Sequence, residues 1–276
     1  TELTEPVVLG SVELISTVTG VVVDGDTAYL AAGKLGLVLV DLTDETEPWV
    51  KGTYDTPGLT RQVLSRHPVI LLADGAQGLV AVDVSNPDKP RKRSAATSRN
   101  RVRGMAASGD LLATAEGTAG VRLFDIHRPD QPALLRSVRR TEGAMDVALE
   151  DDLLLVAAGR KGVLVYRLDR AHRAEQVAVI DGPGKAMDVS LADGIATICR
   201  GSYGVQVVDL SVPEAPAEIT ALRLPRSFSA LGSVLVDDLL FIASDIAGMA
   251  VLDLNPEKEP RFILPRERTI KVTWPD

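Results

Sequence analysis

The stretch AAGKLGLVLVDLTDETEP, residues 31–48, combines three features in a fixed order. Two glycines, Gly33 and Gly36, open it. An apolar run typical of a β-strand follows and ends at Asp41, and an acidic turn then ends at Pro48. The glycine pair predicts a tight turn, because glycine adopts positive φ without steric cost. The stretch therefore predicts a turn, a buried strand and a second turn.

The same order of features recurs along the chain at an almost constant interval. Successive copies of the second glycine are 42 residues apart, except that the last interval is 44. These six glycines are Gly36, Gly78, Gly120, Gly162, Gly204 and Gly248. An aspartate follows five residues later and a proline twelve residues later in every copy but the fourth, where Arg167 and Ala174 replace them. Six copies of one unit therefore fill the chain.

Each copy contains four short strand candidates, which in the first copy are TGVVVDG, TAYLAAG, GLVLVDL and EPWVKGTY. No helix-length periodic segment fits between them. Four strands in a repeat of about 40 residues are the signature of a propeller blade. We therefore predict an all-β, six-bladed β-propeller of four-stranded antiparallel blades, forming a single domain over residues 1–276. The predicted blades span residues 18–54, 60–95, 102–138, 144–180, 186–222 and 228–264.

The two chain ends supply a prediction about closure. EPVVLGSVEL, residues 5–14, matches the fourth strand of the first copy in phase, since Pro6 lies 42 residues before Pro48. We predict that residues 6–14 form the outer strand of the last blade, pairing with residues 248–254, because this would remove an exposed sheet edge. Residues 265–276 would then be a surplus tail.

Two structural predictions concern single residue types. The aspartate that ends each third strand, such as Asp41, recurs blade by blade, and we interpret it as a cap of the following turn. Cys199 ends an apolar strand without a nearby histidine, and we interpret it as a small core residue rather than a nucleophile.

Composition restricts the classes of function. The net charge is −8, whereas phosphate binding needs a basic footprint, so we expect no nucleic-acid partner. The single Cys199 excludes an intrachain disulfide. His67, His127 and His172 lack metal-ligand spacing, so we expect no metal and no cofactor. No apolar run approaches the ~20 residues of a membrane span, so we expect no transmembrane segment. We also expect a monomer or a module of a larger chain.

The runs GLVLVDL, GLVAVDV, GVRLFDI, GVQVVDL and GMAVLDL resemble the LVIVD repeat, a bacterial and archaeal propeller repeat of about this length. The resemblance covers nearly the whole chain. Known members of this group are mostly cell-surface or exported proteins without an assigned reaction. The resemblance therefore implies an extracytoplasmic location, whether periplasmic, secreted or cell-surface, and a binding role without naming a ligand.

Positively charged residues are concentrated at one end of the predicted blades. The loops before each inner strand, with the turns between second and third strands, form an end that we call the basic face. Its cations are Lys34, Arg61, Arg99, Arg101, Arg103, Arg139, Arg140, Arg160, Lys161, Lys185, Arg200 and Arg226. Such a face steers an anionic ligand or an acidic partner. The alternative is that these loops are ordinary solvated surface.

The inner strands place a second set of polar residues at the predicted channel. Sixteen residues before each repeat glycine stand Gly20, Gln62, Gly104, Asp146, Asp188 and Gly232. Two aspartates on adjacent blades could bind a cation or divide acid and base roles. The alternative is that Arg103 neutralises Asp146 across neighbouring blades, because buried charges are normally paired.

Two hypotheses about function remain open, since the fold hosts both. The first is a non-catalytic propeller that binds a protein or an anionic ligand through the basic face. The alternative is a hydrolase or lyase with Asp146 and Asp188 at the channel and Arg61 and Arg103 holding an anionic substrate. The candidate ligand-binding residues are Arg61, Arg101, Arg103, Asp146, Lys185, Asp188, Arg200, Tyr203 and Arg226. No residue is assigned a catalytic role.

Overall fold

A computed structural model describes residues 9–263, apart from residues 99, 225–227, 245–248 and 255–261. The described residues form β-strands and no helix. The strands build six sheets, each with four antiparallel strands in the order in which they occur along the chain. The predicted fold class, an all-β propeller of six four-stranded blades, is confirmed.

The first compact unit contains the described residues up to residue 144 and holds three blades. Blade one consists of β1 (Gly20–Asp24), β2 (Thr27–Ala31), β3 (Leu37–Asp41) and β4 (Trp49–Tyr54). Blade two consists of β5 (Gln62–Arg66), β6 (Val69–Ala73), β7 (Leu79–Asp83) and β8 (Arg91–Ala96). Blade three consists of β9 (Gly104–Ser108), β10 (Leu111–Ala115), β11 (Val121–Asp125) and β12 (Ala133–Val138).

The second compact unit contains the described residues from Met145 onward and holds the other three blades. Blade four consists of β13 (Asp146–Glu150), β14 (Leu153–Ala157), β15 (Val163–Leu168) and β16 (Ala174–Ile180). Blade five consists of β17 (Asp188–Ala192), β18 (Ile195–Cys199), β19 (Val205–Asp209) and β20 (Ala217–Leu222). Blade six consists of β21 (Ala230–Val236), β22 (Leu239–Ser244), β23 (Met249–Asp253) and β24 (Phe262–Ile263).

Blades pack face to face within each unit. Strands buried on both faces read as continuous apolar runs, as β6 does with the sequence VILLA. In the first unit, Leu39 of blade one packs in one cluster with Val63 and Leu72 of blade two. In the second, Val165 of blade four packs with Ile198 of blade five. The low aromatic content suits these cores, because aliphatic side chains interdigitate well between stacked sheets.

The glycine pair shapes the turn between the second and third strands in the first five repeats. Gly33 and Gly36 have φ values of 54° and 74°, as predicted. A Cβ on Gly36 would lie 2.3 Å from the carbonyl oxygen of Tyr54, so only glycine fits there. Gly33 also exchanges two backbone hydrogen bonds of 3.1 Å with Thr60, just before the inner strand of blade two. The turn therefore holds the loop that leads into the next blade.

The repeated aspartate caps its turn, and this prediction is confirmed. The backbone N–H two residues later donates to the aspartate Oδ1 at 2.7–2.9 Å in four blades. The capping residues are Asp41, Asp83, Asp125 and Asp209. Blade four instead uses Asp169, which accepts from the N–H groups of Ala171 and Arg173 at 2.8 Å. The fourth copy therefore replaces its lost cap with another one.

The closing strand predicted at residues 6–14 is wrong. Residues 9–14 form no strand, and residues 6–8 lie outside the described residues. The outer strand of blade six is β24, where Ile263 pairs with Val251. The physical reason is that the sixth copy keeps its own proline, Pro260, and a following apolar run, so its own chain fills the edge. Val12 and Leu14 instead pack against the core of blade one.

Two other predictions about the domain have no test here. The single domain over residues 1–276 stays a prediction, and the tail at residues 265–276 lies outside the described residues.

Candidate functional site

A cleft of about 500 Å³ opens in the first unit at the basic face. Its wall is built from three segments: the turn between β2 and β3, the loop between β4 and β5, and the turn between β6 and β7. The loop between β8 and β9 adds Arg101. All of these segments are connections between strands, which is where a rigid β scaffold usually carries its binding groups.

Three cations line this cleft. Lys34 comes from the turn of blade one, Arg61 directly precedes β5, and Arg101 lies in the loop before β9. All three side chains are exposed, and within the described part of the chain none of them forms an ion pair. Leu59, which is 37% exposed, adds an apolar wall. Two guanidinium groups and an ammonium in one concavity suit an anion with an apolar portion.

A buried carboxylate holds the loop between β4 and β5 in place. Asp74, at the end of β6, is fully buried. Its Oδ1 accepts hydrogen bonds from the hydroxyls of Thr56 at 2.7 Å and Thr60 at 3.0 Å. Its Oδ2 accepts from the backbone N–H of Gly58 at 3.1 Å. Thr56 and Gly58 both line the cleft, so Asp74 supports the cleft from below.

The charge of Asp74 is not neutralised by a cation. Burial raises the pKa of this carboxyl, and the hydrogen bonds from Thr56, Thr60 and Gly58, with the more distant charge of Lys92, oppose the rise. Within the described residues Asp74 has no ion-pair partner. The carboxylate therefore depends on hydroxyl and amide donors, which stabilise a buried charge less completely than an ion pair with hydrogen bonds does.

Blade three shows the same position in a neutralised form. Glu116 lies 42 residues after Asp74 and is also buried. It accepts hydrogen bonds from Ser98, in the loop before β9, and from Thr114. Arg122 forms an ion pair with it at 2.5 Å. Two blades of the first unit therefore anchor the preceding loop with a buried acid, but only blade three supplies a counter-charge.

Sequence reasoning missed this anchoring position. Four residues before the repeat glycine, the six copies read Ala32, Asp74, Glu116, Ala158, Arg200 and Ser244. A charged residue at the end of a buried apolar strand, in three copies of six, was the signal that identifies it. It also marks Arg200, which is 3% exposed.

In the second unit, Asp146 and Asp188 come together as predicted for adjacent blades. The two carboxyl groups are hydrogen-bonded to each other. Asp146 Oδ2 also accepts from the backbone N–H of Val189, and Asp188 Oδ2 accepts from that of Ser233, both at 3.2 Å. Each carboxyl therefore reaches from its own inner strand to the inner strand of the next blade. The partner of Asp146 is a second acid rather than an arginine.

The pair holds a proton because it is buried. Burial, followed by the charge of Asp188, raises the pKa of Asp146 well above its ordinary value. Burial also raises the pKa of Asp188, to about 6. Two adjacent carboxyls cannot both ionise cheaply, so protonated Asp146 donates to ionised Asp188. The pair acts as one titrating unit between blades four and five.

Hydroxyl groups extend this polar cluster into blade six. The Cys199 thiol donates to Ser233 Oγ at 3.2 Å, and Ser233 Oγ lies 2.8 Å from Thr197 Oγ1. Cys199 is fully buried, which raises the pKa of its thiol, and its predicted place in the core is confirmed. The cluster is a set of internal hydrogen bonds that ties three inner strands together.

Gln62 shows that the side chain at this inner-strand position connects neighbouring blades. It stands in blade two where Asp146 stands in blade four, and its Oε1 accepts from the backbone N–H of Met105 on the next inner strand. Three blades therefore use a side chain at this position to bind the following blade. This role needs a side-chain oxygen that accepts a hydrogen bond, which explains why both aspartate and glutamine occupy the position.

The other candidate residues occupy different environments. Arg103 and Lys185 are exposed, and neither lines the cleft. Arg200 is buried and donates through Nε and Nη2 to Gln206 Oε1, at 2.9 and 2.7 Å. Tyr203 is 56% exposed. Arg226 lies outside the described residues, and its convergence with Arg61, Arg101, Arg103 and Lys185 stays a prediction.

Comparison with known proteins supports the repeat and the fold. The family model described as LVIVD repeat matches residues 17–56, 71–93 and 183–222. No curated protein sequence matches the chain. A structure titled "Crystal structure of the computationally designed Ika8 protein: crystal packing No.1 in P63" is similar at a TM-score of 0.67 and 8% identity, over 88% of this chain and 73% of that one. At this identity the likeness concerns the fold alone.

The described residues contain no helix with the length and apolarity needed to cross a membrane. They also contain no group of three or more histidine, cysteine, aspartate or glutamate side chains arranged to hold a metal ion.

Proposed function

We propose that this LVIVD-repeat propeller is a non-catalytic binding protein that holds an anionic ligand, or an anionic group of a protein partner, in the cleft lined by Lys34, Arg61 and Arg101. The observation that carries the proposal is the grouping around one concavity of three exposed cations that have no ion-pair partner among the described residues. Carboxylate, phosphate and sulfate groups share the chemistry that this arrangement recognises.

Electrostatics supports an anionic occupant. Cations gathered around one mouth repel each other, and an anion between them relieves that repulsion. The chain as a whole is acidic, with a net charge of −8, so a cationic cleft is a local exception and steers anions toward itself. The exposed Leu59 beside the cations adds apolar contact for the remainder of the ligand.

We propose no reaction for the carboxyl pair. Asp146 and Asp188 hydrogen-bond to each other and to backbone N–H groups of the next blade. Their oxygens accept hydrogen bonds that connect neighbouring inner strands, as the Gln62 side chain does in blade two. A catalytic acid or base needs a position within reach of a substrate atom, whereas these oxygens are hydrogen-bonded to groups of the blades themselves.

We also propose that the protein is exported or surface-associated. The support is the LVIVD repeat, since the resemblance to this group implies an extracytoplasmic location. Fractionation of cells that produce the native gene product, followed by immunodetection, tests this. Recovery in the cytoplasmic fraction alone would contradict it.

The cleft is tested by a charge-removal series. The variant Lys34→Ala, Arg61→Ala, Arg101→Ala removes the three lining cations. Its matched control, Arg91→Ala, Arg128→Ala, Arg170→Ala, removes three exposed cations elsewhere and changes the net charge equally. Binding of sulfate and of a labelled hexaglutamate peptide is measured by calorimetry and fluorescence anisotropy at several ionic strengths.

We expect the cleft variant to lose binding by at least about tenfold and the control to retain it, because only the first removes charge-assisted hydrogen bonds. Wild-type binding should weaken as salt rises. Binding of sulfate alone points to a small anion, and binding of the peptide alone points to an acidic protein segment. If both variants lose binding equally, or neither does, the cleft is not the binding site.

A further inference from the structure

The carboxylate beneath the cleft has the same sign as the ligand proposed for the cleft. Asp74 Oδ2 accepts from the N–H of Gly58 and Oδ1 accepts from the hydroxyl of Thr56, and both residues are part of the cleft wall. Only one layer of loop therefore separates the Asp74 carboxylate from the cleft. An anion placed in the cleft is close enough to repel it, and burial weakens the screening of that repulsion.

We infer that an anion binds in this cleft together with a proton taken up by Asp74, so that binding strengthens as pH falls. This inference rests on the proposed function, because it concerns the same cleft. It identifies Asp74 as the positioning residue that regulates the site. A neutral Asp74 removes the repulsion, and the loop keeps its hydroxyl contacts to the remaining acceptor oxygen.

The surroundings of Asp74 favour this coupling. The titratable and charged groups that act on it or lie next to its loop are Tyr54, Asp55, Lys92 and the cleft cations Lys34, Arg61 and Arg101. Burial already raises the pKa of Asp74. An anion bound in the cleft adds a negative charge near Asp74, which raises that pKa further.

Linkage gives the direction of the effect. If ligand binding raises the pKa of a group, protonation of that group raises ligand affinity by the same factor. Each unit of pKa increase corresponds to about a tenfold increase in affinity between the alkaline and acidic limits. Affinity should therefore rise as pH falls through the range in which Asp74 titrates.

Glu116 shows why the effect is specific to blade two. It anchors the equivalent loop of blade three, but Arg122 neutralises it at 2.5 Å. Its charge is therefore compensated within its own blade. Asp74 lacks such a partner among the described residues.

The test measures sulfate affinity of the full chain at constant ionic strength between about pH 5 and about pH 8, a range in which sulfate keeps its charge. The variants are Asp74→Asn, which removes the charge while keeping the shape, and Asp55→Asn, which removes an exposed acid from the same loop. Titration of the wild type in two buffers of different ionisation enthalpy also counts the protons taken up, and this measurement needs no variant.

We expect wild type and Asp55→Asn to bind sulfate about tenfold more tightly at the acidic end, with net proton uptake. Asp74→Asn should bind at all pH values about as tightly as the wild type does in acid, without proton uptake. A pH dependence of sulfate affinity that survives in Asp74→Asn would come from other groups and would overturn the inference.

The remaining outcomes separate this inference from the proposed function. Sulfate binding that depends on Arg61 and Arg101 but is independent of pH and releases or takes up no proton would overturn the coupling and leave the anion cleft standing. Absence of sulfate and hexaglutamate binding at every pH would overturn both. If Asp74→Asn fails to fold, proton counting on the wild type decides the question alone.

Discussion

At the scale of single residues, the buried acids differ in how their charge is managed. Glu116 is neutralised by Arg122, Asp146 shares a proton with Asp188, and Asp74 relies on hydroxyls and one backbone N–H. All of these side chains serve as acceptors for a neighbouring loop or strand. These positions therefore share the need for a hydrogen-bond acceptor. Each blade offsets the free-energy cost of burying the acceptor's charge with different partners.

We predict opposite effects for two substitutions at Asp146. Asparagine keeps an oxygen for the Val189 N–H and offers an N–H to Asp188, which reproduces the protonated carboxyl. Asp146→Asn should therefore melt at or above the wild-type temperature at about pH 8. Asp146→Ala leaves a buried N–H without its acceptor and should lose about 1–3 kcal/mol of stability.

Thermal unfolding followed by circular dichroism compares the two variants. Equal melting temperatures for the Asn and Ala variants would show that the hydrogen bond from the Val189 N–H contributes nothing to stability. A strong loss in Asp146→Asn would instead show that the ionised form of Asp146 is the stabilising one.

At the scale of elements, the loop between β4 and β5 requires glycine at position 58, because a side chain there would overlap Asp74. A Cβ on Gly58 would lie 2.2 Å from the carbonyl oxygen of Asp74 and 2.7 Å from its Oδ2. Gly58→Ala must therefore lift the loop from its anchor. We expect sulfate binding to weaken more than about tenfold and stability to fall by about 1–3 kcal/mol, as overpacking usually costs.

Gly232→Ala is the matched control for this substitution. Its Cβ would have its nearest neighbour, Asp188 Oδ1, at 3.7 Å, which is an ordinary contact. It should leave sulfate binding unchanged and alter the melting temperature little, since a strand residue with Cβ restricts the unfolded chain more than glycine does. Unchanged binding in Gly58→Ala would show that the position of this loop does not matter for the cleft.

The elements also show how far the sequence alone can be read. Repetition made the blades, the turn glycines and the capping aspartates predictable, because six copies report the same local requirement. The outer strand of blade six was misassigned because the resemblance of residues 6–14 to a fourth strand competed with Pro260, whose own run forms β24. Phase in a repeat does not decide between two segments that fit the same edge.

The candidate site was only partly predictable for a related reason. Arg61 and Arg101 were predicted from their loop positions, and both line the cleft. Asp74 was missed because its importance comes from contacts with Thr56, Thr60 and Gly58, which no repeat position shares across all blades. Site chemistry of this kind arises where one copy departs from the others, and averaging over copies hides it.

At the scale of the whole molecule, two sets of acids give opposite dependences of stability on pH. Three of the turn aspartates, Asp41, Asp83 and Asp209, have lowered pKa values. Hydrogen bonds from Lys51 and Thr43 lower the pKa of Asp41, and those from Ser85 lower the pKa of Asp83 to about 2. Groups of this kind stabilise the fold above their unfolded pKa of about 4 and lose that contribution as pH falls toward the folded value. The acidic limb of the stability curve should therefore descend below about pH 4.

The buried acids act in the other direction, and together the two sets predict a stability maximum on the acidic side of neutrality. Burial raises the pKa of Asp74 and Asp146, and it raises that of Asp188 to about 6. Their contribution is complete below about pH 4 and is lost as pH rises through the folded values, so stability should be greatest near about pH 5. Melting temperatures measured across the pH range test this. Asp146→Asn should flatten the alkaline limb and Asp83→Asn the acidic one, whereas a maximum near about pH 8 would mean that the buried acids are ionised at little cost.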